Sequence, residues 1–467
     1  MAKSSNRNWA VLIFCFFMVA SAVWQLCVLS PMLSSWLPAF TNRLEYDDNG
    51  VSSLSLLPFI KETTKQPSEE VLHGRQHDEF DLATLKHDRR NKVMWCGPQH
   101  SRNVMTIIEN DFQYTPVPWS AHPDWDLIYG GYPHCGVTKG QPPFDWEMKT
   151  GLNKILNDTG WSNLKPHQIW FPCMGCKHSY CEKNQLCYLL RNIDPSACYV
   201  LPDDADRLES QMDGSKLWVL KRDGRNLNLH VGTGVSYIRN MTQIPDTSDG
   251  SYLVQPYLEP FLGQGEYQRK AELRAYLAIT SVYPLRLYIY PHMWVTLAAS
   301  VYTRNADVNN KCIHDTHTNA QNCGGRLSVM ERQITFEDYA NKTNMPADIK
   351  ESLLRKTREL LAGVIHAATP SIQRHHVNEG IRASGASCFS YMRADVGMTE
   401  NGEAVIFEIN EFPYTNHDAP AAFNILRDSH TELFRMIGLD VPPIYGEDNR
   451  SEYEKAHSGQ WELLPRP

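Results

Sequence analysis

Asp395, Glu408 and Asn410 are residue types that hold a hard cation, and their spacing places them on one face of one β-hairpin. The segment from Cys388 to Asn410 reads as two strands around Asn401-Gly402. That dipeptide tolerates the positive φ that a tight turn needs. With those two residues as the turn, Asp395 lies opposite Glu408, and alternation puts Asn410 on the face of Glu408. Directly opposed carboxylates repel and destabilise a sheet. A magnesium ion removes that penalty, because it takes a few protein oxygens together with substrate phosphates. Asp395, Glu408 and Asn410 therefore read as a magnesium–nucleotide platform, with a solvated sheet face as the plain alternative.

A second segment supports the platform. Leu217–Lys221 is an apolar strand ending in a lysine, with Gly232 and Gly234 shortly after it. An ammonium at a strand end beside glycine-rich backbone suits phosphate, since glycine lets backbone donors approach. Tyr252–Glu259 is a further apolar strand running into a turn. Glu272 and Arg274 then share one face of the strand 272–280, and 284–290 is its expected hairpin partner.

The run WVLK, LVQPYLEP, ELRAYLAITSVYPLRLYIY, DVGMTENGEAVIFEINEFP resembles the tubulin–tyrosine ligase-like family of ATP-grasp enzymes. Upstream, HQIWFPCMGC, KNQLCYLLR and CYVLPDDADRL resemble that family's N-terminal stretches, so the resemblance runs from about Trp95 to Leu439. It implies an α+β ATP-grasp fold in which N-terminal, central and C-terminal lobes enclose a nucleotide cleft. It also implies roles. Lys221, with Gly232 and Gly234, would contact the ATP phosphates. Gln255, Tyr257 and Leu258 would form the adenine hinge, the latter two through backbone and apolar contact. Arg274, with Glu272 beside it, would steady the γ-phosphate or an acyl phosphate. Asp395, Glu408 and Asn410 would bind magnesium. Phosphoryl transfer needs mainly positioning and neutralisation of spread negative charge, which these residues supply.

This chain also departs from the family pattern. Glu272 stands where the family usually has Asp. Thr296 stands where an arginine is expected, which bears on substrate choice and activity. The family's His-Leu-Thr-Asn motif corresponds to 313–319, with His314 or Asn319 filling the role. The glycine-rich loop is reduced to Gly232 and Gly234.

The elements that must position these residues lie in a chain of 467 residues, 42% apolar, with net charge −8. That length allows a composite body of two or three lobes. The mild acidity argues against a nucleic-acid partner. Trp9–Leu29 is almost uninterrupted apolar sequence, and about 20 such residues span a bilayer. Lys3 and Arg7 precede it, which orients the N-terminus to the cytosol and the body to the lumen. Ala20-Ser-Ala22 offers a signal-peptide cleavage site as the rival reading; the apolar run past it favours an uncleaved anchor. The expected order is a cytosolic N-terminus 1–8, a transmembrane anchor 9–29, a stem 30–91 and an N-terminal lobe 92–200. A central lobe 201–300, a C-terminal lobe 301–440 with a helix over 349–366, and a tail 441–467 follow. Ten cysteines lie beyond the apolar run, as do sequons at Asn157, Asn240, Asn341 and Asn449. Both suit a glycosylated, disulfide-bonded protein of the Golgi or endoplasmic reticulum. Cys173, Cys176, Cys181 and Cys187 have zinc as their alternative to disulfides.

The expected function is an ATP-dependent carboxylate–amine ligase, with ATP and magnesium as cofactors. It would join a free amino acid to a protein or peptide carboxylate through an acyl phosphate. The rivals are a nucleotide-binding protein of the same fold without ligase activity and a luminal ATP-dependent transferase acting on another acceptor.

Overall fold

A computed structural model describes residues 91–96, 102–117, 125–130, 164–173, 175–222, 234–247, 252–303, 307–316, 323, 327–378, 385–411, 413–415, 417 and 419–466. The expected anchor, the stem up to residue 90, Cys135, Asn157, Gly232 and Asn319 lie outside the described residues. Among the described residues no helix is long and apolar enough to cross a membrane.

Three sheets make the framework. The first is parallel. It contains β1 (Lys92–Cys96), β2 (Thr115–Val117), β3 (Leu127–Gly130) and β4 (Ile169–Phe171), with β13 (Ser387–Cys388) on its edge, in the order β13-β4-β3-β1-β2. Every residue of β3 and β4 is buried, as expected of a parallel sheet covered on both faces. Helix α1 (Arg102–Asn110) covers it with Val104, Ile107 and Ile108.

The second sheet is the antiparallel roof. It contains β5 (Tyr199–Leu201), β6 (Trp218–Arg222), β7 (Val235–Ile238) and β8 (Tyr252–Pro256), in the order β5-β8-β6-β7. Its small core is built on Trp218, Leu220 and Val254.

The third sheet carries the candidate chemistry. Its centre is β9 (Ala271–Val282), twelve residues long. Along one edge β9 pairs with β10 (Leu285–Ile289) and β11 (Trp294–Leu297), and along the other with β14 (Ser390–Met398). β15 (Ala404–Asn410) then pairs with β14, β12 (Gln333–Thr335) with β11, and β16 (Glu462–Leu463) with β10. Leu273, Ala275, Leu277, Met392, Ala394, Ile406 and Ile409 share one apolar core with Leu361, Val364, Ile365 and Ile372. Those last four belong to the 32-residue helix α3 (Ala347–Asn378); α2 (Lys183–Arg191) precedes it in the chain. Fully burying such a side chain is worth roughly 1.5–3 kcal/mol. On the opposite face Tyr276, Ala278, Tyr288 and Tyr391 pack into a second core, and Glu272, Arg274 and Asp395 take the remainder.

Three expectations change. Strands β9 to β11, expected in a central lobe ending at 300, belong to one sheet with the expected C-terminal lobe, because β9 pairs with β14 while β10 and β11 pair with β9. The helix expected over 349–366 runs from Ala347 to Asn378. The expected tail is folded: helix α5 (Glu447–His457), which follows α4 (Pro420–Met436), packs on the body and β16 extends the third sheet. Its charges looked solvated in sequence, but Glu454 is buried against Arg286, with Nε donating to Oε2 at 2.7 Å and Nη2 to Oε1 at 2.7 Å.

Disulfides join Cys173–Cys388, Cys187–Cys198 and Cys312–Cys323. Cys176 is a buried free thiol. With Cys173 and Cys187 both oxidised, the four-cysteine zinc alternative is excluded.

Candidate active site

Asp395 and Glu408 are paired across β14 and β15, as the sequence suggests, though two offsets produce that register. The loop is longer than Asn401-Gly402. Met398 pairs with Ala404, the Gly402 amide donates to the Thr399 carbonyl, and Gly402 takes φ +69°. A bulge between Asp395 and Val396 then inserts Phe407 and restores the pair. A bulge sets two residues against one and re-aims side chains. Here Phe407 and Glu408 are both half-buried, and the inward alternation of β15 resumes at Ile409.

The repulsion expected of opposed carboxylates is offset by arginine. Asp395 is buried and forms an ion pair with Arg274, its partner across β9. It also accepts from Arg393, Nε to Oδ1 at 2.9 Å and Nη2 to Oδ2 at 3.2 Å. Arg274 reaches Glu272 as well, Nη2 to Oε2 at 3.3 Å. No cation is therefore needed to hold the pair together, which corrects the premise that one must be. Glu408 keeps the more open carboxylate and accepts from Asn410 Nδ2 at 2.9 Å.

Two lysines complete the cleft. Lys221 Nζ donates to the Phe407 carbonyl at 3.4 Å and stands 5.4 Å from the Phe407 ring. Burial pulls its ammonium down to about 8, against the pull of Glu408. Lys270 is buried 4.9 Å from the Tyr257 ring, and burial lowers its pKa against the opposing effect of Glu272. Leu258 and Phe407 together fill the space a Cβ would need at Gly397, so that glycine lets the hinge and the bulge close over the sheet.

The remaining expected residues are placed as follows. Gln255 is buried on β8, and its Oε1 has no hydrogen-bond partner among the described residues, which suits an amino-group donor such as adenine. The Tyr257 amide donates to the Leu217 carbonyl at 2.9 Å, so its N–H is spent inside the roof. Its hydroxyl meets His314 Nδ1 at 2.8 Å. Thr296 is buried opposite Glu272, and no guanidinium stands in its place on β11. The Gly234 carbonyl accepts from the Arg222 amide at 2.9 Å and closes the β6–β7 pairing. The sequence reading did not name Lys270, Arg393, Phe407 or His417. The first two lie two residues before Glu272 and Asp395, so alternation alone would have placed them on the same face.

The description "Tubulin-tyrosine ligase family" matches residues 181–447, more than half of the chain and all three strands of this face. The chain belongs to the tubulin-tyrosine ligase family. Its ATP-grasp-like α+β fold is the one the mixed sheets build. Among curated members, the tubulin monoglutamylase TTLL4 of Homo sapiens is 24% identical over 258 residues, 52% of this chain and 20% of that protein. The tubulin polyglutamylase ttll-5 of Caenorhabditis elegans is 31% identical over 261 residues, 51% of this chain and 34% of the relative. The probable alpha-tubulin polyglutamylase Ttll1 of Tetrahymena thermophila is 23% identical over 304 residues, 58% and 66% respectively. In each of these three relatives the match covers less than two thirds of the relative's own length.

Magnesium fits the donor set of this family member. Glu408 offers a carboxylate, Asn410 its carbonyl oxygen because its amide nitrogen donates to Glu408, and Asp395 a second carboxylate. A magnesium ion held there would neutralise charge on the phosphates of ATP.

Proposed function

We propose that the chain is an ATP-dependent carboxylate–amine ligase that adds an amino acid to a protein or peptide carboxylate. One observation carries the reading. Arg274 and Arg393 converge on a single buried carboxylate, Asp395, on the same sheet face as Glu408 and Asn410. Arg274 also reaches Glu272, so the positive excess comes from the two guanidinium groups taken together with Lys221 and Lys270, and such preorganised charge favours an anion that develops negative charge in transfer. Lys221 and Lys270 extend that charge toward the hinge residues Gln255 and Leu258. In this reading ATP lies from the hinge to Arg274, and its γ-phosphoryl group passes to the acceptor carboxylate. An amine then displaces phosphate from the acyl phosphate. Named relatives are glutamylases, so glutamate is the amino acid of first choice.

A specific observation favours a second reading, nucleotide binding without ligation: Thr296 supplies no arginine. Mass spectrometry of a glutamate-rich peptide incubated with the chain, ATP, magnesium and the twenty amino acids separates the two. The ligase gives a mass gain of one residue with stoichiometric ADP. Nucleotide-dependent stabilisation without either product supports the second reading.

We further propose a type II membrane topology, anchored by Trp9–Leu29, with the body in the secretory lumen. Three disulfides support an oxidising compartment. The described sequon residues Asn240, Asn341 and Asn449 are all exposed, as glycan attachment requires. Tubulin is then replaced as acceptor by a luminal protein. Endoglycosidase should shift the gel mobility of the cellular protein; an unshifted, cytosolic protein would restore tubulin as the favoured acceptor.

A further inference from the structure

His417 lies in the loop that leads from the Glu408–Asn410 strand into α4, and no step above uses it. The loop is tied down where the Thr415 carbonyl accepts from Asn103 Nδ2 at 3.1 Å. Its imidazole packs edge-on against Trp294, with centroids 5.0 Å apart. Trp294 is buried, and its Nε1 donates to the Tyr276 hydroxyl at 3.2 Å. The same indole carries the Arg274 guanidinium 5.8 Å from its centroid. One pinned ring thus sets both the arginine of the phosphate site and the histidine. On its other side His417 meets Tyr414, 5.3 Å away, whose side chain is half exposed.

The hydrogen bonding of the ring fixes its tautomer. One nitrogen bonds to the backbone of Tyr414. Nε2 is buried and has no hydrogen-bond partner among the described residues. Nδ1 therefore donates to the Tyr414 carbonyl, and Nε2 presents a bare lone pair. Burial and the charges of Arg393 and Arg274 hold the imidazole neutral, down at about 4. A buried acceptor without a donor is costly unless something else supplies the donor. Beside a phosphate site in a ligase, the missing donor is the N–H of the second substrate.

We infer that His417 Nε2 receives the attacking amine: it orients the amine's lone pair toward the acyl carbon and takes its proton as the amide forms. This rests on the ligase reading. The incoming ammonium sheds its first proton to water. The amine lone pair forms the C–N bond, the second proton passes from nitrogen to Nε2, and the C–O bond to phosphate breaks with its electron pair leaving on phosphate. Phosphate on Arg274 and Arg393 offsets the charge that depresses the imidazole, so its basicity rises when the acyl phosphate is in place. The imidazolium then returns its proton to solvent.

The test separates the two half-reactions. Full-length protein is incubated with ATP, magnesium, a glutamate-rich peptide and either glutamate or hydroxylamine. Hydroxylamine is largely unprotonated at neutral pH and traps the acyl phosphate as a hydroxamate without help from a base. For His417→Gln, amide formation should fall about 100-fold or more, while hydroxamate yield stays within about threefold of wild type. In His417→Ala, added imidazole should restore part of the amide rate. If both products fall together, or if amide formation is unchanged, His417 does not receive the amine. If wild type yields neither hydroxamate nor ADP, the ligase reading fails and this role fails with it.

Discussion

Two buried arginine–carboxylate clusters sit in the third sheet, and they differ in the balance of charge. At β10, Arg286 meets Glu454 and Glu447 of α5, while Thr280 and Tyr288 also donate to Glu454, at 2.7 and 3.3 Å. There Arg286 and Arg450, which reaches Glu447 at 3.7 Å, balance two carboxylates, and the polar residues around them complete the bonding. At β9 and β14, two guanidinium groups converge on Asp395 and Arg274 also reaches Glu272, with Lys221 and Lys270 adding two further cations beside Glu408 and Glu272. The same ingredients make a closed brace in one place and an anion-seeking surface in the other. Burial of charge by itself therefore says little about function. The informative quantity is the sign of what is left over.

Removing an acid from each cluster should sharpen that contrast most. Glu454→Ala and Asp395→Ala each strand buried arginine, at a cost of about 3–5 kcal/mol in stability. Inorganic phosphate should raise the melting temperature of Asp395→Ala, because the anion replaces the lost carboxylate, and leave Glu454→Ala unmoved. Equal rescue, or none in either variant, would erase the distinction. Glu408→Gln comes next. ATP consumption should fall at least about 100-fold, near 2.7 kcal/mol, with little change in the apo melting temperature, since Glu408 is only half-buried. Gly397→Ala should be felt more weakly. Its methyl group meets Leu258 and Phe407, so nucleotide binding should weaken by about 1–3 kcal/mol, as overpacking does, in isothermal titration.

The smallest effect is one of pH. The Lys221 ammonium has its pKa depressed from 10.5 to about 8. It is charged below that value and neutral above it, so nucleotide affinity should fall as pH rises through 8 to 10. Bound phosphate raises the pKa again, so binding should take up protons in that range. For folding the sign is opposite. The unfolded lysine holds its proton up to its ordinary pKa, so this group adds stability between about 8 and 10.5 as pH rises. Lys221→Met should flatten the affinity profile.

The hairpin was legible because turn chemistry and alternation are local. Its register held at Asp395 and Glu408 because a longer loop and a bulge cancel, and nothing in the sequence announces the bulge at Phe407. The β9–β10 hairpin, the roof strands β6 and β8 and the long apolar helix were legible for the same reason. The lobe boundary at 300 was not, because pairing of β9 with β14 joins residues more than a hundred positions apart. Residues 441–466 misled by composition: Glu447 and Glu454 count as solvated charges until Arg286 is seen as their partner. Arg393 left a readable signal at two residues from Asp395. His417 left none, since a loop has no period to place it.

The bond between Cys173 and Cys388 spans a sequence separation of 215, and every roof strand lies inside the ring it closes. In the chain-entropy account a loop of that size is worth about 5 kcal/mol against the unfolded state. Topologically it acts as a clasp. The parallel sheet and the strand leading to Asp395 stay fastened at their shared edge, whatever the roof does above them. Reducing agent would therefore loosen the footing of the cleft before it touched any residue in it, and a preparation kept reduced could bind nucleotide poorly with every candidate site residue intact.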